Sequence, residues 1–142
     1  MRYFDTSFLV PLFLSEPTSA AIQSFFSAHQ REELSISHWT KVEFSSLLAV
    51  KQRMNSLDAQ ATRSAATHFE EAVRSFALFL PTISDFELAR TYIANFDTGL
   101  RGGDALHLAI ARNRDIETIH SLDKKLLRAG RMLGLPVSGD FR

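Results

Sequence analysis

The chain has 142 residues, 45% of them hydrophobic and 23% charged; this is the profile of one compact domain that buries roughly two thirds of its unfolded surface, and it excludes a disordered chain. Cysteine is absent, which rules out a disulfide framework and a thiolate metal site. No stretch has the pattern of a secretory leader or a membrane span, so a cytoplasmic protein is expected, and a formal net charge of zero gives no broad electrostatic grip on nucleic acid.

In chain order, Tyr3 and Phe4 read as the end of a short strand, Asp5-Thr6-Ser7 as a polar hinge, and Thr6 to Phe13 as a helix. The breaker Ser15-Glu16-Pro17 separates it from a helix over Thr18 to His29, and Leu34 to Ser37 is a second strand. Two longer helices follow, Thr40 to Gln52 with Val42, Phe44, Leu47 and Leu48 on an apolar stripe, and Leu57 to Ser75, joined by an Asn-Ser turn. Ala77 to Pro81 is a third strand, and Ser84 to Glu87 has the Ser-x-x-Glu form of a capping box. The next helix is apolar on nearly every side from Ala105 to Ala111, as expected of one packed inside the fold. Thr118 to Ser121 is a fourth strand, Asp123 to Leu133 a helix closed by Gly134, and Leu135 to Val137 a fifth strand.

Strands alternating with helices point to an α/β fold, a parallel sheet covered on both faces and joined by right-handed crossovers. Ligands of such open sheets bind beyond the carboxyl ends of the strands, where the strand order reverses. Asp5 and Asp123 then project from the same sheet edge, and Glu43 and Asp104 fall in the first turns of the helices that follow a second strand and "LRGG". Each has a structural explanation: Asp5 and Asp123 as N-caps, Glu43 as the acceptor of a capping box from Thr40, and Asp104 as a charge favoured near a helix N-terminus. Four carboxylates gathered in one partly dry cleft repel one another and raise their own pKa values. A cation belongs with them. Lys41 and Arg101 are the nearest basic residues in sequence, and a hard ion such as Mg²⁺ or Mn²⁺ satisfies carboxylates directly. Zinc is disfavoured, because the five histidines include no pair at helical metal spacing. The last third of the chain is locally basic, and Arg112, Arg114, Lys124, Lys125, Arg128 and Arg131 read as a solvated helix face rather than as phosphate ligands.

The segments "YFDTS", "KVEF", "RGGDALHLA" and "SLDKKL", with "DALHLA" and "SLD..L...A...G.PV" the most specific, resemble the PIN-domain ribonucleases. More narrowly they resemble the VapC toxins of toxin-antitoxin pairs, over residues 1 to about 137. The resemblance implies a three-layer α/β/α fold with a central, mostly parallel five-stranded sheet, forming a single PIN-like domain over residues 1–142. It implies a divalent-metal-dependent endoribonuclease in which Asp5, Glu43, Asp104 and Asp123 are catalytic and hold Mg²⁺ or Mn²⁺, with Asp5 and Asp104 as direct ligands. Ser121 supports the site, Thr6 or Ser7 assists, and Arg101 either neutralises the acids or meets a phosphate. The implied products are a 5′-phosphate and a 3′-hydroxyl, and the implied partners are an RNA substrate, a VapB-like antitoxin and a second copy of the chain. The helical pair from Thr40 to Phe76 is the expected antitoxin-docking surface, although core burial explains its apolar residues equally well.

His120 departs from the family pattern, standing where an apolar residue is usual, and reads as a surface-edge exception rather than a substrate contact. His107 reads as a satisfied core histidine, and Trp39 and Phe44 as core aromatics. Three other classes fit the sequence less well. A haloacid-dehalogenase-type phosphatase needs a second Asp where Ser7 stands, and a phospho-receiver module needs a second early acid beside Asp5. A non-catalytic PIN-like protein-binding scaffold is the stronger alternative, and the complete set of four acids argues against it.

Overall fold

The structure, a computed structural model, describes residues 1–30 and 32–142. In chain order its elements are β1 (Arg2–Phe4), α1 (Thr6–Phe13), α2 (Ser19–Ala28), β2 (Leu34–Ser37), α3 (His38–Arg53), α4 (Ala59–Val73), β3 (Ala77–Phe79), α5 (Ile83–Ala94), a 3₁₀ turn at Phe96–Thr98, α6 (Gly102–Arg112), β4 (Thr118–His120), α7 (Lys124–Met132) and β5 (Val137–Ser138). The strands form one parallel sheet in the order β3-β2-β1-β4-β5. The chain runs outward from β1 to β3, crosses back, and adds β4 and β5 on the other side of β1. The strand order therefore reverses between β1 and β4, where Tyr3 lies opposite Ile119 and Phe4 opposite His120.

Successive residues of a strand point to opposite faces, and β1 uses this to start two cores. Tyr3 faces a cluster with Ala89 of α5, Leu108 and Ile110 of α6, and Leu126 and Ala129 of α7. Phe4 faces the other, with Phe8 of α1, Ile22 and Phe25 of α2, Phe44 of α3 and Phe69 of α4. The result is the expected α/β/α sandwich, with α6 buried at every position from Ala105 to Ala111. No helix among the described residues is long and apolar enough to cross a membrane.

The local chemistry accounts for the departures from expectation. Strand β3 ends at Phe79, two residues short of Pro81, whose ring nitrogen has no hydrogen for a ladder. Helix α3 begins at His38, directly after β2, because Ser37 is its N-cap and Thr40 occupies N3 of a Ser37/Thr40 capping box. The anticipated Thr40/Glu43 box is thus displaced, and Glu43 is released for other contacts. The box at Ser84/Glu87 is likewise replaced by Thr82/Asp85. Asp85 is fully buried because it binds Arg114 Nη1 and Nη2 at 3.0 and 3.1 Å and Asn113 Nδ2 at 2.8 Å as well as Thr82 N at 2.8 Å. Gly134, at φ +70°, closes α7 as expected.

His120 is not at the surface. It is 2% exposed and stacks on Phe4 with ring centroids 5.0 Å apart, because β4 is an interior strand and Phe4 is its cross-strand neighbour. Its Nε2 lies 3.0 Å from Arg2 Nη1, Nδ1 has no hydrogen-bond partner among the described residues, and burial and Arg2 together push its pKa down to about 4. Phe44 is a core aromatic, stacked 4.2 Å from Phe69, and Trp39 packs against the α5–α7 cluster while donating its Nε1–H to Gly103 O at 3.2 Å. The α3–α4 pair turns Phe44, Leu48, Ala65, Phe69 and Val73 inward, so most of its apolar stripe is core.

Candidate active site

Asp5, Glu43, Asp104 and Asp123 line one cleft of about 490 Å³ at the carboxyl edge of the sheet, beside the β1/β4 reversal. The four come from well-separated stretches of chain. Asp5 ends β1, Asp123 follows β4, Glu43 lies on α3, and Asp104 is the third residue of α6.

Asp5 caps α1 and is also the most connected of the acids. Its Oδ1 accepts from Phe8 N at 3.1 Å and from Ser7 Oγ at 2.7 Å, while Oδ2 accepts from Ser121 Oγ at 2.7 Å. The two hydroxyls are themselves anchored, Ser7 Oγ accepting from Leu122 N at 2.9 Å and Ser121 Oγ from Asp123 N at 3.0 Å. This lattice of short polar bonds ties the end of β1 to the end of β4. Burial raises the Asp5 pKa, and His107 and the bonds from Ser121, Ser7 and Phe8 oppose that rise. An ionised carboxylate offers about four lone-pair sites, and three of those on Asp5 are filled, which leaves one for a ligand.

Glu43 is held by a second line of contacts that begins inside the sheet. Tyr3, fully buried, donates its hydroxyl to Ser37 Oγ at 3.0 Å and lies 2.7 Å from His107 Nδ1. The other ring nitrogen of His107, Nε2, donates to Glu43 Oε1, which also accepts from Thr6 Oγ1 at 2.6 Å. Burial pushes the Glu43 carboxyl up, but the bonds from His107 and Thr6 outweigh it and hold the pKa below its usual value. Gly103 leaves room beside this group: a Cβ there would stand 3.1 Å from Glu43 Oε2 and 3.2 Å from Trp39 Cζ2.

Asp104 is different from both. Its carboxylate accepts no hydrogen bond among the described residues, and its pKa is pushed up to about 6 by burial and by the negative charges of Asp123, Asp5 and Glu43, with His107 opposing. Asp123 caps α7, its Oδ1 accepting from Lys125 N at 2.8 Å and Leu126 N at 3.4 Å. Capping and cleft membership therefore coexist at Asp5 and at Asp123.

The residues fit a divalent cation in two respects. The donors are all carboxylate and hydroxyl oxygens, the set that Mg²⁺ and Mn²⁺ favour, and Asp104 records a concentration of negative charge that the neighbouring side chains leave uncompensated. No three Asp, Glu or His groups among the described residues form a ready-made cage. Mg²⁺ does not require one, since it keeps several waters and is often held by one or two carboxylates.

Arg101 is exposed, at the N-cap of α6, and makes no ion pair among the described residues. Arg112 pairs with Asp115 and Arg114 with Asp85, and none of the eight Lys and Arg residues from residue 100 onward lines the cleft. The base that does line it is Lys51, together with Glu16. Sequence reasoning missed both, although Lys51 stands eight residues after Glu43 on the same helix face, a spacing legible once Glu43 is placed. His107 is the core histidine expected, 1% exposed with both nitrogens partnered; its contact with Glu43 was not foreseen.

The PIN domain family model matches residues 2–132. None of the curated proteins matches the chain. Among solved structures, it is similar to VapC20 of Mycobacterium tuberculosis, a sarcin-ricin loop cleaving toxin, with a TM-score of 0.70 and 17% identity over 92% of this chain and 95% of that one. It is similar to FitAcB of Neisseria gonorrhoeae, with a TM-score of 0.74 and 14% identity over 96% of each chain. VapBC2 of Rickettsia felis, bound to a DNA fragment from its promoter, gives a TM-score of 0.73 and 10% identity over 97% of this chain and 98% of that one. At these identities the likeness is one of fold.

Proposed function

The chain belongs to the PIN domain family, and from that premise we propose that it is a divalent-metal-dependent endoribonuclease, the toxin of a toxin-antitoxin pair, that leaves 5′-phosphate and 3′-hydroxyl ends. The observation that carries this reading is Asp104, with no hydrogen-bond donor among the described residues and a pKa raised to about 6 in a cleft shared with four other carboxylates. A structural cap gathers partners; this residue gathers like charges.

Asp5 and Asp104 are the proposed direct ligands of Mg²⁺ or Mn²⁺, with Glu43 and Asp123 binding directly or through water. When bound, the ion acidifies the attacking water and offsets charge on the phosphate and the leaving 3′ oxygen. The chain's own residues prepare that chemistry. Ser7 and Ser121 fix the Asp5 carboxylate in one orientation, while Thr6 and the Tyr3–His107 pair fix Glu43 and keep it ionised. Residues 1–142 act as one domain, and the protein works in the cytoplasm. The proposed partners are a VapB-like antitoxin and a second copy of the chain. Val42, Ile83 and Phe86, 57%, 82% and 52% exposed, stand at α3 and α5, and Val42 and Phe86 line an apolar cavity of about 620 Å³, a surface that supports a protein partner.

A non-catalytic scaffold remains the second reading, favoured by the lack of a ready-made three-group cage among the described residues. The two part in one assay: purified protein on a total-RNA pool with Mg²⁺ or Mn²⁺, with chelator, and beside Asp104→Asn. Metal-dependent fragments with 5′-phosphate ends, absent in the variant, are expected. Equal cleavage by both proteins, or cyclic-phosphate ends, would overturn the metal mechanism.

A further inference from the structure

The acidic cleft does not end at the carboxylates. It is also lined by Val10 and Pro11 of α1, by Leu47 and Lys51 of α3, and by Glu16. Glu43, Leu47 and Lys51 recur every four residues and so share one helix face, with Lys51 about 12 Å along the axis from Glu43 at 1.5 Å per residue. Lys51 is the one Lys or Arg among the lining residues.

Two observations bear on why a lysine stands there. It forms no ion pair among the described residues, despite five carboxylates in the same cleft, and neither does Glu16. Nor is it among the leading charges acting on Asp104, which are Asp123, Asp5, His107 and Glu43. Lys51 is half-buried as a residue, and its ammonium, unpaired among the described residues, is free for an anion supplied from outside. Leu47 lies between Glu43 and Lys51 on α3, and with Val10 and Pro11 it gives the cleft an apolar lining that suits the flat face of a base.

We infer that the Lys51 end of the cleft is a nucleotide subsite, holding the unit next to the scissile bond with its phosphate on Lys51 and its base over Val10, Pro11 and Leu47. This rests on the nuclease reading for the position of the scissile bond. The subsite gives the RNA a fixed direction through the cleft, from Lys51 toward Asp104. It recognises single-stranded RNA, whose bases are free to lie against an apolar surface.

The test is binding of a fluorescein-labelled single-stranded RNA dodecamer of mixed sequence, in Mg²⁺ across a KCl series. The Asp104→Asn protein is compared with Asp104→Asn carrying Lys51→Gln or Lys51→Arg, so that the RNA stays intact. Melting curves verify that each variant is folded. Lys51→Gln is expected to weaken binding about threefold to tenfold and to flatten the slope of log affinity against log salt by about 0.7, the value for one phosphate contact on a single strand; Lys51→Arg keeps both. Unchanged affinity and slope in the folded Lys51→Gln protein would overturn the subsite. If the wild type cuts RNA while Lys51→Gln binds normally, the subsite falls and the nuclease stands. If binding depends on Lys51 but the wild type cuts nothing in Mg²⁺ or Mn²⁺, the subsite stands and the nuclease falls. Absence of RNA binding in all of these proteins would overturn both.

Discussion

Two aspartates, Asp85 and Asp104, sit near the starts of neighbouring helices α5 and α6, and their surroundings are opposite. Asp85 has Arg114, Asn113 and the Thr82 N–H around it, and although burial pushes its pKa up, those partners hold it below the usual value. Asp104 has carboxylates around it, and its pKa rises to about 6. The first arrangement is complete, and its charge is spent on holding α5 to the end of α6. The second is incomplete, and its surplus charge is available to a cation. The contrast sets a structurally satisfied acid apart from one whose charge is left unmatched, which is what the metal-site proposal needs of Asp104.

Four substitutions break or sharpen that contrast, and the largest effect is expected at Asp104. Asp104→Asn should lower metal-dependent RNA cleavage by more than about 100-fold, since even supporting residues around a metal cost 10- to 100-fold, while the metal-free protein gains about 2–5 °C in Tm at pH 7. The sign follows from linkage: the folded protein keeps the Asp104 proton up to about pH 6, the unfolded chain releases it near 3.8, and stability is lost as pH rises between those values. The gain in Tm should therefore grow from pH 4 to pH 6 and level off above. A variant that melts lower than the wild type at pH 7 would return Asp104 to a capping role.

Asp85→Asn should do the reverse. Removing one partner of a buried pair leaves the other uncompensated, at a cost of about 3 kcal/mol, read as a lower urea midpoint, while cleavage per folded molecule is unchanged. Next is Ser121→Ala, which deletes the 2.7 Å bond to Asp5 Oδ2. It should lose about 1–2 kcal/mol and about tenfold in cleavage at saturating RNA; full activity would mean that Ser7 alone orients Asp5. Gly103→Ala is the most delicate. The better helix propensity of alanine opposes the close approach to Glu43 Oε2 and Trp39 Cζ2, so stability should move by less than about 0.5 kcal/mol. Cleavage should fall about tenfold as Glu43 is displaced. Loss of stability without loss of rate would place Gly103 in packing alone.

The alternation of short apolar runs with helical periods made the sheet and its layers legible, and the all-round apolarity of Ala105 to Ala111 placed α6 inside. Asp5, Asp104 and Asp123 were legible because each follows a strand or opens a helix, positions that a parallel sheet brings to one edge; Glu43 was placed in a first turn, whereas it is the sixth residue of α3 and reaches the cleft from the second turn. What escaped was whatever depends on contacts across the sheet. His120 looked like an exception on a strand edge because nothing local reveals that β4 is interior, paired with β1 on one side and β5 on the other. Glu43 looked like the end of a capping box because the Thr-x-x-Glu spacing is local, whereas its partners Thr6 and His107 are 37 and 64 residues away. The basic residues of the last third were misleading for the same reason: Arg114 belongs to Asp85, 29 residues before it. Composition showed the charge but not its partner.

The order of strands carries a consequence for synthesis on the ribosome. Strand β1 is made first yet ends in the middle of the sheet, and Asp5 takes its orientation from Ser121, 116 residues later. A nascent chain carries Asp5 and Glu43 long before Asp104 and Asp123 emerge, so the cleft cannot assemble until β4 has left the exit tunnel and docked beside β1. A product that stops short of β4 lacks both Ser121 and Asp123. The topology delays the arrival of the cleft until the polypeptide is nearly complete, so the proposed nuclease would gain its site only as its own synthesis ends.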